Sequence, residues 1–150
     1  MRLYYVEQKD FKDLYTSFVV SFGSRKLDVF VWRTVRGLYR NTNFPKKNYL
    51  GAYIGYPYGK RRRGLFGELH LLKRMIACGG AQLIGAGYVA HELQHFMLDW
   101  LTDHTLYDPD SIRRLNEPAA WLCGEVTRLV WSEWYKIEKR GSHGRKGKQT

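Results

Sequence analysis

The sequence predicts an α+β fold, with short strands in its first half and two long helices in its second. Three observations predict it. Up to Leu72, apolar residues come in short runs that alternate with polar ones and are broken by glycine, proline or asparagine. After Gly80 the apolar spacing becomes helical. With 150 residues, 44% of them hydrophobic, the chain suits one compact domain with a real core.

Taken in order, the residues before Tyr15 fit either a strand or a short helix. Thr16 to Phe22 is β-branched and aromatic and is stopped by Gly23-Ser24. Leu27 to Val35 sets Leu27, Val29 and Val31 against Asp28, Phe30 and Trp32, as in a strand with two useful faces. Asn41 to Lys47, with Pro45, reads as a loop. Tyr49 to Tyr56 and Leu65 to Leu72 are strand-like, and the link between them holds Pro57-Tyr58-Gly59 and Lys60-Arg61-Arg62-Arg63. They predict a hairpin with an exposed charged tip. From Ala81 to about Thr102 apolar residues point in nearly every direction around a helix, which marks it as buried, and Gly85 and Gly87 weaken its first turn. Asp103 to Asp110 is a polar connection. Asp110 or Ser111 can cap the next helix, and so can Asn116, with Pro118 tolerated in the first turn. Leu122, Cys123, Val126, Leu129 and Val130 keep helical spacing to about Glu138, where Gly141 stops the helix. The expected domain is therefore 1–140, and 141–150, without one apolar residue, is a basic flexible tail.

Composition narrows the function. The most apolar stretch carries Gln82, His91, Glu92, Gln94, His95 and Asp99, too many polar groups for a span in lipid, so no membrane partner is expected. The N-terminus reaches Glu7 and Asp10 without the apolar run of a signal peptide, which points to the cytoplasm. Cys78 and Cys123 then read as reduced, small apolar residues. The formal charge is +11, concentrated at Lys60 to Arg63 and at Lys139, Arg140, Arg145, Lys146 and Lys148. These are either a solvated loop and tail or attractors of nucleic acid or an acidic protein.

The chemistry centres on His91-Glu92-Leu93-Gln94-His95. Residues four apart on a helix share a face, so both imidazoles can bind one ion, and two imidazoles suit tetrahedral zinc. Glu92 points about 100° further round the helix, close enough to take a proton from the attacking water without chelating the ion. In random order this composition gives roughly 0.008 occurrences of the pattern. A catalytic zinc wants a third protein ligand and an open position. A histidine six residues after His95 would serve, but Leu101 stands there, and His104 is nine residues on. Glu117, 22 residues after His95 at the start of the next helix, is the better candidate; it is otherwise an ordinary first-turn carboxylate favoured by the helix dipole.

His91-Glu92-Leu93-Gln94-His95 followed by Asn116-Glu117-Pro118-Ala119-Ala120 resembles the gluzincin group of zincin metallopeptidases, over roughly Tyr88 to Val130. The resemblance implies one Zn²⁺ per chain on His91, His95 and Glu117, with Glu92 as general base and a protein or peptide as substrate. It implies a zincin-like α+β layout: a small mixed sheet packed on the active-site helix, then a second helix carrying the third ligand. It also implies that an edge strand before the active-site helix pairs with the substrate, with Gly67 to Leu72 as the candidate. In size the chain is similar to minimal single-domain metallopeptidases of bacteria, phages and mobile elements. It departs from thermolysin-like members at Trp121, where they carry an Asp that orients a ligand histidine; Glu125 or a backbone carbonyl must serve here. His104, Tyr107 and Tyr135 are candidates to stabilise the oxyanion. Two other readings stand beside the peptidase. One is a nucleic-acid-binding protein with a structural or vestigial metal site, gripping phosphates with Lys60, Arg61, Arg62, Arg63 and the tail; the other is a phage or assembly component that keeps a zincin fold and its metal site without turnover.

Overall fold

The computed structural model describes residues 5–43, 49–77, 82–105 and 109–145. A 3₁₀ turn at Phe11–Asp13 leads into β1 (Leu14–Phe22) and β2 (Arg25–Trp32). These are followed by α1 (Val35–Thr42), β3 (Ala52–Gly55), α2 (Tyr58–Arg61), β4 (Leu65–Leu72), α3 (Lys73–Ile76), α4 (Gln82–Thr105) and α5 (Pro109–Arg145). The strands form one mixed sheet in the order β1-β2-β4-β3. β1 and β2 are a hairpin turning at Gly23, β2 runs parallel to β4, and β3 pairs antiparallel with β4 from Ala52↔His70 to Gly55↔Gly67. The fold is thus α+β, as the change of periodicity predicts, and the β3–β4 hairpin forms as expected.

Several boundaries differ from the sequence reading. β2 ends at Trp32, because the Thr34 hydroxyl accepts a hydrogen bond from Gly37 N (3.0 Å) and starts a helix where Val35 looked like strand. Asn41 and Thr42 close that helix instead of opening a loop; positions 44–48 lie outside the described residues. α4 tolerates Gly85 because the Ile76 carbonyl passes so close that a Cβ there would lie 3.0 Å from it. α5 has no start at Asn116: it begins at Pro109 and contains Pro118. A proline inside a helix costs about 3 kcal/mol; here the buried stripe Ala119, Leu122, Val126, Val130 and Trp134 offsets it. Gly141 does not stop α5, which reaches Arg145, since an interior glycine costs only about 1 kcal/mol. The expected tail is therefore helical over 141–145; Cys78 and 146–150 lie outside the described residues.

The two faces of the sheet carry different cores. Phe18, Val20, Phe22, Leu27, Val29, Val31, Leu69 and Leu71 meet Val89, Leu93, Phe96 and Met97 of α4 and the stripe of α5. On the other face Trp32, Leu38 and Leu72 form a smaller cluster under α1. Among the described residues no helix is long and apolar enough to cross a membrane.

That second face also buries charge. His70 and Glu68 are fully buried on β4. His70 Nδ1 accepts from Trp32 Nε1 (2.9 Å), so the other ring nitrogen carries the proton and faces Glu68 Oε1 at 3.0 Å, without a well-aligned hydrogen bond. Lys9 Nζ lies 3.0 Å from the same carboxylate oxygen, and Tyr56 donates to Asp28 and Glu68. Burial alone would raise the Glu68 carboxyl, but His70 and Lys9 outweigh it and hold it below its usual value. Burial drives the His70 imidazole down, against the opposing pull of Glu68. Both shifts give stability that is present at high pH and lost as pH falls, because the unfolded chain binds the proton first. The Glu92 carboxyl, which burial raises to about 7, acts with the opposite sign over the same range, so the His70 contribution is read as a difference. The thermal midpoint of the wild type relative to that of His70→Gln should fall as pH drops below about 6.5, the ordinary histidine value; a difference that stays constant over that range would show that His70 does not set it.

Candidate functional site

α4 turns one line of side chains toward β3 and the residues leading into it. Tyr88, Glu92, His95 and Asp99 follow one another at helical spacings of four, three and four. The Tyr88 hydroxyl donates to Leu50 O and accepts from Leu72 N (2.9 Å), tying α4 to the residues leading into β3 and to the end of β4. Asp99 accepts from Tyr53 Oη (2.5 Å) and pairs with Arg61 (2.6 Å). Arg61 also reaches Asp103 (2.5 Å), so the expected exposed contact is turned inward, neutralised by two carboxylates of α4. Its role in an open basic tip is thereby corrected.

Between these ties sits the His-Glu-x-x-His segment. His91 and His95 are exposed, with ring centres 5.2 Å apart. Two imidazoles on one tetrahedral zinc, each nitrogen about 2.0–2.1 Å from the ion, have ring centres roughly 5 Å apart. Partial desolvation by its neighbours and the charge of His91 lower the His95 pKa, which favours the neutral, ligating form. Glu92 turns inward and is 6% exposed. Burial pushes its carboxyl up to about 7. Gly51 makes room for it: a Cβ there would lie 2.6 Å from Glu92 Oε1 and 2.8 Å from Tyr88 Oη.

Glu117 is not brought to this pair. It lines a cavity of about 770 Å³ with Phe22, Trp100, Trp121 and Leu122. The reason is direction rather than length. α4 continues ten residues past His95, about 15 Å, and Glu117 comes eight residues back along α5, about 12 Å, so the two differ by only about 3 Å along the helices. Glu117 shares its cavity with Trp100, which is roughly 140° around α4 from His95. Among the described residues no three His, Cys, Asp or Glu side chains gather as a metal site. The donors present fit zinc in type and in the spacing of the imidazoles, and the third is not in place.

The remaining candidates are scattered. Glu125 lines the Glu117 cavity and pairs with Arg128 (2.6 Å). Tyr135 is exposed and packs on Trp131, which reaches Gly85 at the start of α4, so it lies well away from His95. His104 stands in the last turn of α4, roughly 13 Å along the axis from His95. Tyr107 lies outside the described residues. Lys60 is held against the rings of Tyr5 and Tyr56, while Arg62 and Arg63 are exposed.

Gly51, Tyr53, Tyr88 and Asp99 escape a sequence reading. Tyr88 and Asp99 carried a signal, the helical spacing from Glu92, whereas Gly51 is marked only by its contact. The structure also corrects the edge strand: Gly67 to Leu72 lies in β4, paired with β2 throughout and with β3 over Gly67 to His70, and the open edge beside α4 is β3. No protein-family model matches the chain, and comparison with curated proteins and with solved structures finds no match either.

Gly51→Ala should cost about 1–3 kcal/mol in urea unfolding, because the Glu92 and Tyr88 side chains must move. Gly87→Ala, where nothing lies within 4 Å, should be neutral or stabilise by up to about 1 kcal/mol. Equal effects at the two positions would show that Gly51 is not in close contact with Glu92.

Proposed function

We propose that the chain is a zinc-dependent peptidase of the gluzincin kind, most simply an endopeptidase. One observation carries this reading: two imidazoles on the open side of a buried helix, at the spacing one ion requires, beside a buried carboxylate and the free edge of a sheet. His91 and His95 would hold the ion. When bound, zinc polarises a carbonyl and makes water a competent nucleophile near neutral pH.

The chain's own residues supply the rest. Glu92, with its pKa near 7, is matched to take a proton from the attacking water and return it to the departing amine nitrogen. Gly51 and Tyr88 fix where that carboxylate can go. β3, open along one side, offers backbone groups to an extended peptide, which would add a strand next to His95. Glu117 remains our proposed third ligand. To reach the histidines, α5 must rotate relative to α4 so that Glu117 turns from the Trp100 side to the His95 side.

Glu92→Gln should retain metal and lose at least about 100-fold in hydrolysis of a casein or peptide-library substrate, the scale of general-base catalysis. Cleavage equal to that of the wild type would overturn the mechanism. Glu117→Ala should weaken zinc binding at least about tenfold, measured by competition with a chromogenic chelator. Unchanged affinity would remove Glu117 from the site and leave the two-histidine assignment standing.

A further inference from the structure

We propose that the end of the sheet formed by the β1–β2 turn and the α2–β4 junction is a binding surface for single-stranded nucleic acid. Two distant segments meet there. Lys26 N donates to Gly64 O (2.8 Å). Gly64 has φ +85, and a Cβ on it would lie 2.6 Å from Ser24 O, so the two turns are pressed together. Lys26, Arg62 and Arg63 project from this junction, and all three are exposed.

The structure sorts the cations that the sequence runs together. Arg61 is neutralised by Asp99 and Asp103, and Lys60 lies against Tyr5 and Tyr56. Among the described residues Lys26, Arg62 and Arg63 take part in none of the ion pairs. Their charge is thus available to an outside anion, in the field of a chain whose formal charge is +11.

The choice of nucleic acid over an acidic protein or an anionic membrane rests on Tyr58. Tyr58 is 74% exposed, and the Arg62 guanidinium sits 5.4 Å from the centre of its ring. An exposed ring beside an arginine plane can stack bases of any sequence while neighbouring cations take the phosphates. An acidic peptide or a lipid headgroup has no base to stack there. No base-reading motif is needed, and the binding would be sequence-tolerant.

The test is fluorescence anisotropy of a labelled oligothymidylate with the full chain over a salt series. The logarithm of the binding constant should fall against the logarithm of salt with a slope of about −2, as for three cations on single-stranded phosphates. The triple variant Lys26→Ala, Arg62→Ala, Arg63→Ala should lose at least about tenfold in affinity and most of that slope. Tyr58→Ala should lose about 5- to 150-fold with the slope kept, the range of one stacked base. The double variant Arg62→Ala, Arg63→Ala repeats the test if the triple unfolds, with an intermediate slope expected. The proposal is overturned if wild type does not bind, or if the substituted proteins bind as wild type does. It is also overturned if removing 146–150 alone abolishes binding, or if phosphatidylserine vesicles or polyglutamate bind as tightly as the oligonucleotide.

Discussion

The burial of α4 is the constraint on which the rest of the molecule depends. The helix is wedged between the sheet and α5, and Val89, Leu93, Phe96 and Met97 anchor it in the main core. A helix so enclosed has little room for polar side chains, because a buried polar group without a partner is costly. Its charged and polar groups are therefore confined to the side that meets β3 and solvent. There Tyr88 and Asp99 are satisfied by the hairpin, and Glu92 and the two histidines occupy the interval between them. The candidate site is thus a consequence of packing: it sits where the core ends.

The hairpin is the second half of that arrangement. Ties at Leu50, Tyr53 and Arg61 hold β3 along α4, and Gly51, Gly55 and Gly67 let backbone and side chains approach without a Cβ between them. The basic link between β3 and β4 is divided by the same contacts. One arginine becomes a strut to α4, and the others are left on the surface. On the opposite face of the sheet, Glu68, His70 and Lys9 attach the N-terminal segment to β4, away from the histidine pair.

Much of this was legible in residue order, for identifiable reasons. Alternation along Leu27, Val29 and Val31 showed a strand, because one face of it had to be buried. The all-round apolar character of α4 showed a buried helix, and His91 and His95, four apart, had to share a face. What stayed hidden depends on contacts between distant segments. The placement of β4 in the middle of the sheet follows from its parallel pairing with β2, which no local pattern records. α1 hinged on one threonine hydroxyl. Pro118 looked like a helix start, but the packing of Ala119 to Trp134 outweighs a local proline signal. Which side of α4 Glu117 faces depends on how α5 is rotated in its packing against α4, and a spacing along the chain carries no record of that rotation.

The central claim is that His91 and His95 form one metal-binding pair. It is tested most directly by elemental analysis of the purified wild type and of His95→Ala, each after equilibration with zinc and removal of the excess. The account predicts about one zinc per wild-type chain and none in the variant. Equal zinc in both, or none in either, would contradict it and make the pair two solvent-facing histidines on a buried helix.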